Sequence, residues 1–297
     1  MLGRLPFSAM VAAALLAVAA PVTAEVVAFI AEVSGNGQVK RAAGGQEKLS
    51  MGQQLYAGDT VKLKEGRASL VFLSGRSVAV EAGSPYAVRG AEAQNSALVS
   101  RIAETLGEIA GPQSELDRPA VHGMARDMGG LHGALPANTR LLDGLFAFSW
   151  DPLPDLKEYV FTLETSADGG RLQRKVRGRE VVAHLQAGKR YHWSVAEEGD
   201  FVPRTSGRMW VEVATEAEAQ AMRRVLEQLE GEYAGRTLEL MRLAALFREG
   251  YYFEVVSALE PRARAGKLEK VEKRLFGASF AKMERWDRLQ KPRPPSR

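Results

Sequence analysis

The sequence contains no cysteine, which removes disulfides, thiolate zinc sites, a thiol nucleophile and a lipid-modified N-terminal cysteine from consideration. Aromatic residues make up 7% of the 297 positions, so an aromatic-rich binding cage is not a general feature. Glycine and proline stand at ordinary counts, 29 and 13, which excludes a collagenous or proline-rich fibre. No strong charge of one sign is present either: the formal net charge of +4 is too small to argue for nucleic acid as a partner. A phosphate loop, a Ser, His and Asp set at recognisable spacing and a metal cluster are also missing from the pattern, and no cofactor is implied. What is present is 45% hydrophobic and 26% charged residues, enough apolar material for two small cores.

Arg4 precedes an uninterrupted apolar run over residues 9–20. The run falls short of the roughly 20 residues a membrane-spanning helix needs, and Pro21 breaks it. Val22, Thr23 and Ala24 then offer the compact residues a signal peptidase reads. Residues 1–24 are therefore expected to be an export signal cut after Ala24, which in a bacterium makes the product periplasmic. The alternative is an uncleaved anchor over residues 5–24.

From Glu25 onward the pattern has period two and frequent turns. Residues 26–33 form a strand candidate ending at Gly35-Asn36-Gly37. Val61 and Leu63 alternate with Lys62 and Lys64, whereas residues 68–73 are apolar on both faces and predict a strand covered on both sides. The order Leu49, Gly52, Leu55, Gly58-Asp59, Val61, Gly66-Arg67-Ala68, Leu70, Phe72, Gly75, Val78, Val80, Ser84 resembles the FecR domain, the periplasmic module named for the ferric citrate regulator. The resemblance covers residues 25–90 and departs from the usual pattern at Ser74-Gly75, where an acid normally precedes the glycine. It implies a small β domain in which Gly52, Gly58, Asp59, Gly66 and Gly75 are turn residues rather than catalytic ones. The regulators' cytoplasmic anti-sigma segment has no counterpart in this sequence, so that activity is not expected.

Leu98, Ile102, Thr105, Leu106 and Ile109 recur at helical spacing within residues 91–110, and Gly111-Pro112 ends the pattern. Residues 111–138 mix Gly, Pro and His without a period and read as a linker in which His122 and His132 are solvated. Over residues 139–214, Phe146, Phe148 and Trp150 share one strand face, as do Tyr159, Phe161 and Leu163, and Tyr191, Trp193 and Val195. These aromatics read as the core of a β-sandwich, and the alternative is sugar stacking by Trp150 and Trp193. The run 148–152, with Tyr159 and 187–193, resembles fibronectin type III-like modules.

Thr215-Glu216-Ala217-Glu218 is a capping box opening a helix to Gly231. Residues 238–248 and 251–264 predict a helical hairpin with Leu240, Leu243, Leu246, Phe247, Val255, Val256 and Leu259 inward, similar to a single tetratricopeptide unit. The helical region extends over 215–290, with a basic tail at 291–297. Residues 262–297 hold 12 Lys plus Arg and 4 Asp plus Glu, a balance of +8. Arg262, Arg264, Lys267, Lys270, Lys273 and Arg274 are thus the candidate partner surface.

The expected fold class is mainly β with an α C-terminus: a small FecR-like β domain, a β-sandwich and a helical hairpin region. The expected function is that of a non-enzymatic periplasmic binding or scaffold protein of the envelope. An envelope protein is the expected partner, with a cell-wall polymer or anionic lipid at the basic end as alternatives and no nucleic acid. Other readings are a cell-wall glycan-binding module, a periplasmic arm of envelope signalling, and an enzyme acting through acids such as Asp151, Asp155 and Glu158.

Overall fold

The computed structural model describes residues 25–90, 95–110, 131, 133–153, 156, 158–166, 169–199 and 204–284. The proposed export signal, residues 111–130, His132, Asp155, Asp168 and the basic tail lie outside them.

Eight strands build the first unit: β1 (Val26–Ser34), β2 (Gly37–Lys40), β3 (Gln46–Lys48), β4 (Gln54–Tyr56), β5 (Thr60–Leu63), β6 (Arg67–Phe72), β7 (Ser77–Glu81) and β8 (Tyr86–Ala87). They form two antiparallel sheets, ordered β4-β1-β6-β7 and β3-β2-β5-β8. Ile30, Leu55, Leu70 and Phe72 meet Val39, Val61 and Leu63 between the sheets. The run 68–73 is indeed covered on both sides: Val71, with Phe29 and Ala31 of β1, turns away from that core and into a helical one. Gly52, Gly58, Gly66 and Gly75 all have positive φ. At Gly66 the constraint is doubled, because an added Cβ would lie 1.8 Å from the Ser34 carbonyl oxygen.

The second unit is a β-sandwich of β9 (Thr139–Leu141), β10 (Leu145–Ser149), β11 (Glu158–Thr165), β12 (Arg171–Arg177), β13 (Glu180–His184), β14 (Arg190–Glu197) and β15 (Met209–Val213). A five-stranded sheet runs β12-β11-β14-β15-β9, with β15 and β9 parallel, and faces the pair β10-β13. Phe148, Trp150, Tyr159, Phe161 and Trp193 interlock between them, with Phe148 and Trp193 ring centres 4.9 Å apart. The Trp193 indole N–H donates to the Pro136 carbonyl at 2.8 Å, which satisfies the one polar group that this ring brings into the core.

One expectation is corrected here. Residues 131 and 133–138 do not belong to a linker: Leu131, Ala134 and Ala137 lie in the sandwich core, and Leu135 exchanges backbone hydrogen bonds with Ser149 at 2.9 and 2.8 Å. Pro136 and the glycines interrupt the alternation that would have marked this stretch as strand-like.

Five helices complete the described residues: α1 (Ala97–Ala110), α2 (Glu216–Glu232), α3 (Gly235–Arg248), α4 (Tyr252–Arg264) and α5 (Lys270–Lys282). The capping box at Thr215 and Glu218 is formed. Leu240, Leu243, Leu246, Val255, Val256 and Leu259 are buried as the pattern requires. These helices hold the two β units together. The outer face of β1 and β6 shares a core with Val99, Ile102 and Leu106 of α1 and Leu240, Met241 and Ala244 of α3. On the other side, Phe253 of α4 meets Phe146 of the sandwich edge-on, and Glu254 accepts the Leu142 N–H at 3.0 Å. The turn after α2 also ties across, since the Tyr233 hydroxyl donates to the Gly75 carbonyl at 2.8 Å. Burial pushes that phenol up to about 12, so it stays a donor at neutral pH.

Buried Glu272, on the first turn of α5, joins three helices. It pairs with Arg236 of α3 at 3.0 Å and with Arg262 of α4 at 2.9 Å, and it accepts the Glu269 N–H at 2.9 Å to cap its own helix.

Candidate functional site

The basic end does not form one uniform surface. Arg262 is turned inward to Glu272 and Glu239, and Arg264 pairs with Glu260 one helical turn back. Lys267 and Lys273 are exposed. Lys270 and Arg274 instead line a cleft of about 500 Å³ between the N-terminal turns of α5, the end of α1 and the first β unit.

The first unit supplies the opposite wall with Arg41, Lys48 and Tyr56. Arg41 is fixed by Asp59: one guanidinium nitrogen donates to the Asp59 carboxylate at 2.7 Å and to the Gln54 carbonyl at 2.9 Å, while the other meets Glu47 at 2.5 Å. Asp59, 1% exposed, also accepts the Ala42 and Tyr56 backbone N–H groups at 3.0 Å each. It therefore holds the wall of the cleft in place. Partial burial disfavours the Arg41 cation, yet the Glu47 and Asp59 carboxylates outweigh it and hold the guanidinium above its ordinary value. Its hydrogen bond in turn holds Glu47 below the usual carboxylate range. Arg41 also stacks over the Tyr56 ring at 5.3 Å, which covers one face of the cleft's aromatic.

On the helical wall, Arg274 donates to the Ile109 and Ala110 carbonyls and so caps α1. α5 sits tightly on the β unit: a Cβ added at Gly52 would come within 2.7 Å of Val271. The cleft lining thus holds Arg41, Lys48, Lys270 and Arg274 against the single carboxylate Glu47. Lys48 and Lys270 are exposed and make no ion pair among the described residues. Such a set suits an anionic group held by charge and hydrogen bonds. The sequence pattern pointed to Lys270 and Arg274 but not to Arg41, Lys48 or Tyr56, which lie more than 200 residues earlier. Nothing in local periodicity signals that α5 returns to the first unit.

Other candidates resolve differently. Trp150 and Trp193 are 2% and 1% exposed, so neither offers a ring to a sugar. Glu158 is engaged by Arg177 at 2.6 Å. His192 lies 3.0 Å from the Ser166 hydroxyl, and burial, with Arg208 and Arg190 nearby, lowers its proton affinity. No helix among the described residues is long and apolar enough to cross a membrane.

No family model matches the sequence, and no curated protein matches it. Among solved structures, a two-domain fibronectin type III segment from chicken tenascin is similar over 63% of this chain and 91% of its own, at 12% identity and a TM-score of 0.22. A cytokine receptor complex covers the same shares at 11% identity and a TM-score of 0.23. A β-1,2-glucanase from Parabacteroides distasonis aligns over 88% of this chain but 38% of its own, at 12% identity and a TM-score of 0.25. These likenesses add nothing to the topology described above.

Proposed function

We propose that the chain is a non-enzymatic binding or scaffold protein of the bacterial envelope, with a FecR-like module and a fibronectin III-like sandwich, and that it docks an acidic segment of an envelope protein in the basic cleft. The observation that carries this reading is the cleft itself, where exposed Lys48 and Lys270, without an ion pair among the described residues, come from opposite ends of the chain and stand beside Arg41 and Arg274. Periplasmic location rests on the composition of residues 1–24. The glycan-binding alternative loses its aromatic support, because the two tryptophans on which it rested are core residues.

The test is to recover the protein from the periplasmic fraction, read its N-terminus and place a photo-crosslinking residue at Lys48 or Lys270 in living cells, with Lys175 on the sandwich as the control position. A start at Glu25 and a defined envelope protein captured from both cleft positions, but not from Lys175, is the expected result. Equal capture at all three, or none, would refute the assignment of the cleft.

A further inference from the structure

A second concavity, separate from the basic cleft, opens between α1, α2 and α3 on the side where Tyr251 leads into α4. Its volume is about 300 Å³, and more of its lining surface is apolar than polar. The floor consists of Leu98 and Ile102 of α1, Met222 and Val225 of α2 and Ala245 of α3. α2 gives up only Ala219, Met222 and Leu229 to full burial, so one flank of the helix leaves apolar surface open to this groove.

The rim has a different character. Three guanidinium groups reach it from three separate elements: Arg101 from α1, Arg140 from β9 and Arg248 from α3. Arg248 is anchored by Glu104 at 3.0 Å, and Arg140 by Glu218 at 2.7 Å and by the face of Tyr251 at 5.3 Å. The Arg140 Nε is buried without a hydrogen-bond partner, 3.9 Å from Glu212. Arg101 makes no ion pair among the described residues and is exposed at the mouth. Counting Glu218 and Glu249, the lining holds three cations against two carboxylates.

We infer that this groove binds an apolar chain ending in one carboxylate, a medium-length fatty-acid-like amphiphile, with the chain along Ile102, Met222 and Val225 and the head group at Arg101. An apolar interior with a few placed polar groups is the usual make-up of a small-molecule site. Arg248 and Arg140 already have carboxylate partners, which leaves Arg101, exposed and without an ion pair among the described residues, as the cation for one negative head. The volume of about 300 Å³ lies at the small end of small-molecule sites, which limits the chain to a medium length. A partner helix would need a longer apolar track than these three short flanks provide.

Calorimetric titration of the purified chain tests the inference, with decanoate below its micelle concentration, decanol as the uncharged analogue, and an acidic amphipathic peptide as the competing occupant. The expected result is a single decanoate site, with decanol weaker by about tenfold. Arg101→Glu is expected to weaken decanoate by a similar factor of about ten. Ala221→Trp, at an exposed position of α2 beside the groove, is expected to abolish binding with the melting temperature unchanged. Absence of decanoate binding, equal affinity for decanol, indifference to both substitutions, or binding of the peptide alone would overturn it. The photo-crosslinking experiment on the basic cleft is unaffected by any of these outcomes, so the two assignments fail separately.

Discussion

Glu254 gives the chain a pH dependence that a single substitution can expose. Its carboxyl sits in the first turn of α4, where one oxygen accepts the Leu142 N–H at 3.0 Å and the other is buried without a partner. Burial is the main reason its proton affinity is pushed up to about 7 from the ordinary 4.5, the Leu142 N–H pulls the other way, and the neighbouring Asp143 adds to the rise. The sign follows directly. Between 4.5 and 7 the folded chain keeps a proton that the unfolded chain has released, so this group's contribution to stability falls as pH rises through that window and is flat above it. At about 1.4 kcal/mol per pH unit, full ionisation in the fold costs up to about 3 kcal/mol. Glu254→Gln removes the ionisation and can keep the hydrogen bond from Leu142. Urea unfolding of both proteins at pH 5 and pH 8 should therefore show the variant gaining on the parent by up to about 3 kcal/mol at the higher pH. Subtraction cancels every other titrating group. A stability difference that is the same at both pH values would refute the reasoning.

Four further substitutions test the fold. Glu272→Ala removes the buried carboxylate that Arg236 and Arg262 share and leaves them only the exposed Glu239 in common; it should cost about 3 kcal/mol in denaturant unfolding, with Glu239→Ala costing under about 1 kcal/mol. Gly66→Ala forces a Cβ into the Ser34 carbonyl at a φ of +80°, and should lower stability by about 2 kcal/mol or more, read as a drop in melting temperature. Tyr233→Phe removes the donor to Gly75 and should cost about 1 kcal/mol, with faster hydrogen exchange in the turn between β6 and β7.

Much of this architecture was legible in the residues. Alternating aromatics located the sandwich core because strand faces have a strict period of two. The run 68–73 announced burial on both faces, although nothing local showed that the second cover would be α1 and α3. The capping box at Thr215 set the start of α2 to the residue, because side chain and backbone chemistry meet within four positions. Residues 131 and 133–138 escape the pattern because glycine and proline hide a short buried segment whose cover comes from distant strands. The candidate site was half legible. Charge density marked Lys270 and Arg274, while Arg41, Lys48 and Tyr56 become neighbours only through long-range packing, for which a single sequence carries no periodic signal. The same limit hid the inward turn of Arg262, whose partners Glu239 and Glu272 lie on two other helices.

The central claim is that the cleft formed by the two ends of the chain is the partner site. Its most direct test is the affinity of the envelope protein captured by crosslinking for the parent chain and for the Lys48→Glu, Lys270→Glu double variant, measured at one fixed ionic strength alongside the melting temperature of each. Both lysines are exposed and make no ion pair among the described residues, so the fold should be unaffected. The account predicts an affinity loss of about tenfold or more with an unchanged melting temperature. Undiminished affinity in the double variant would contradict it.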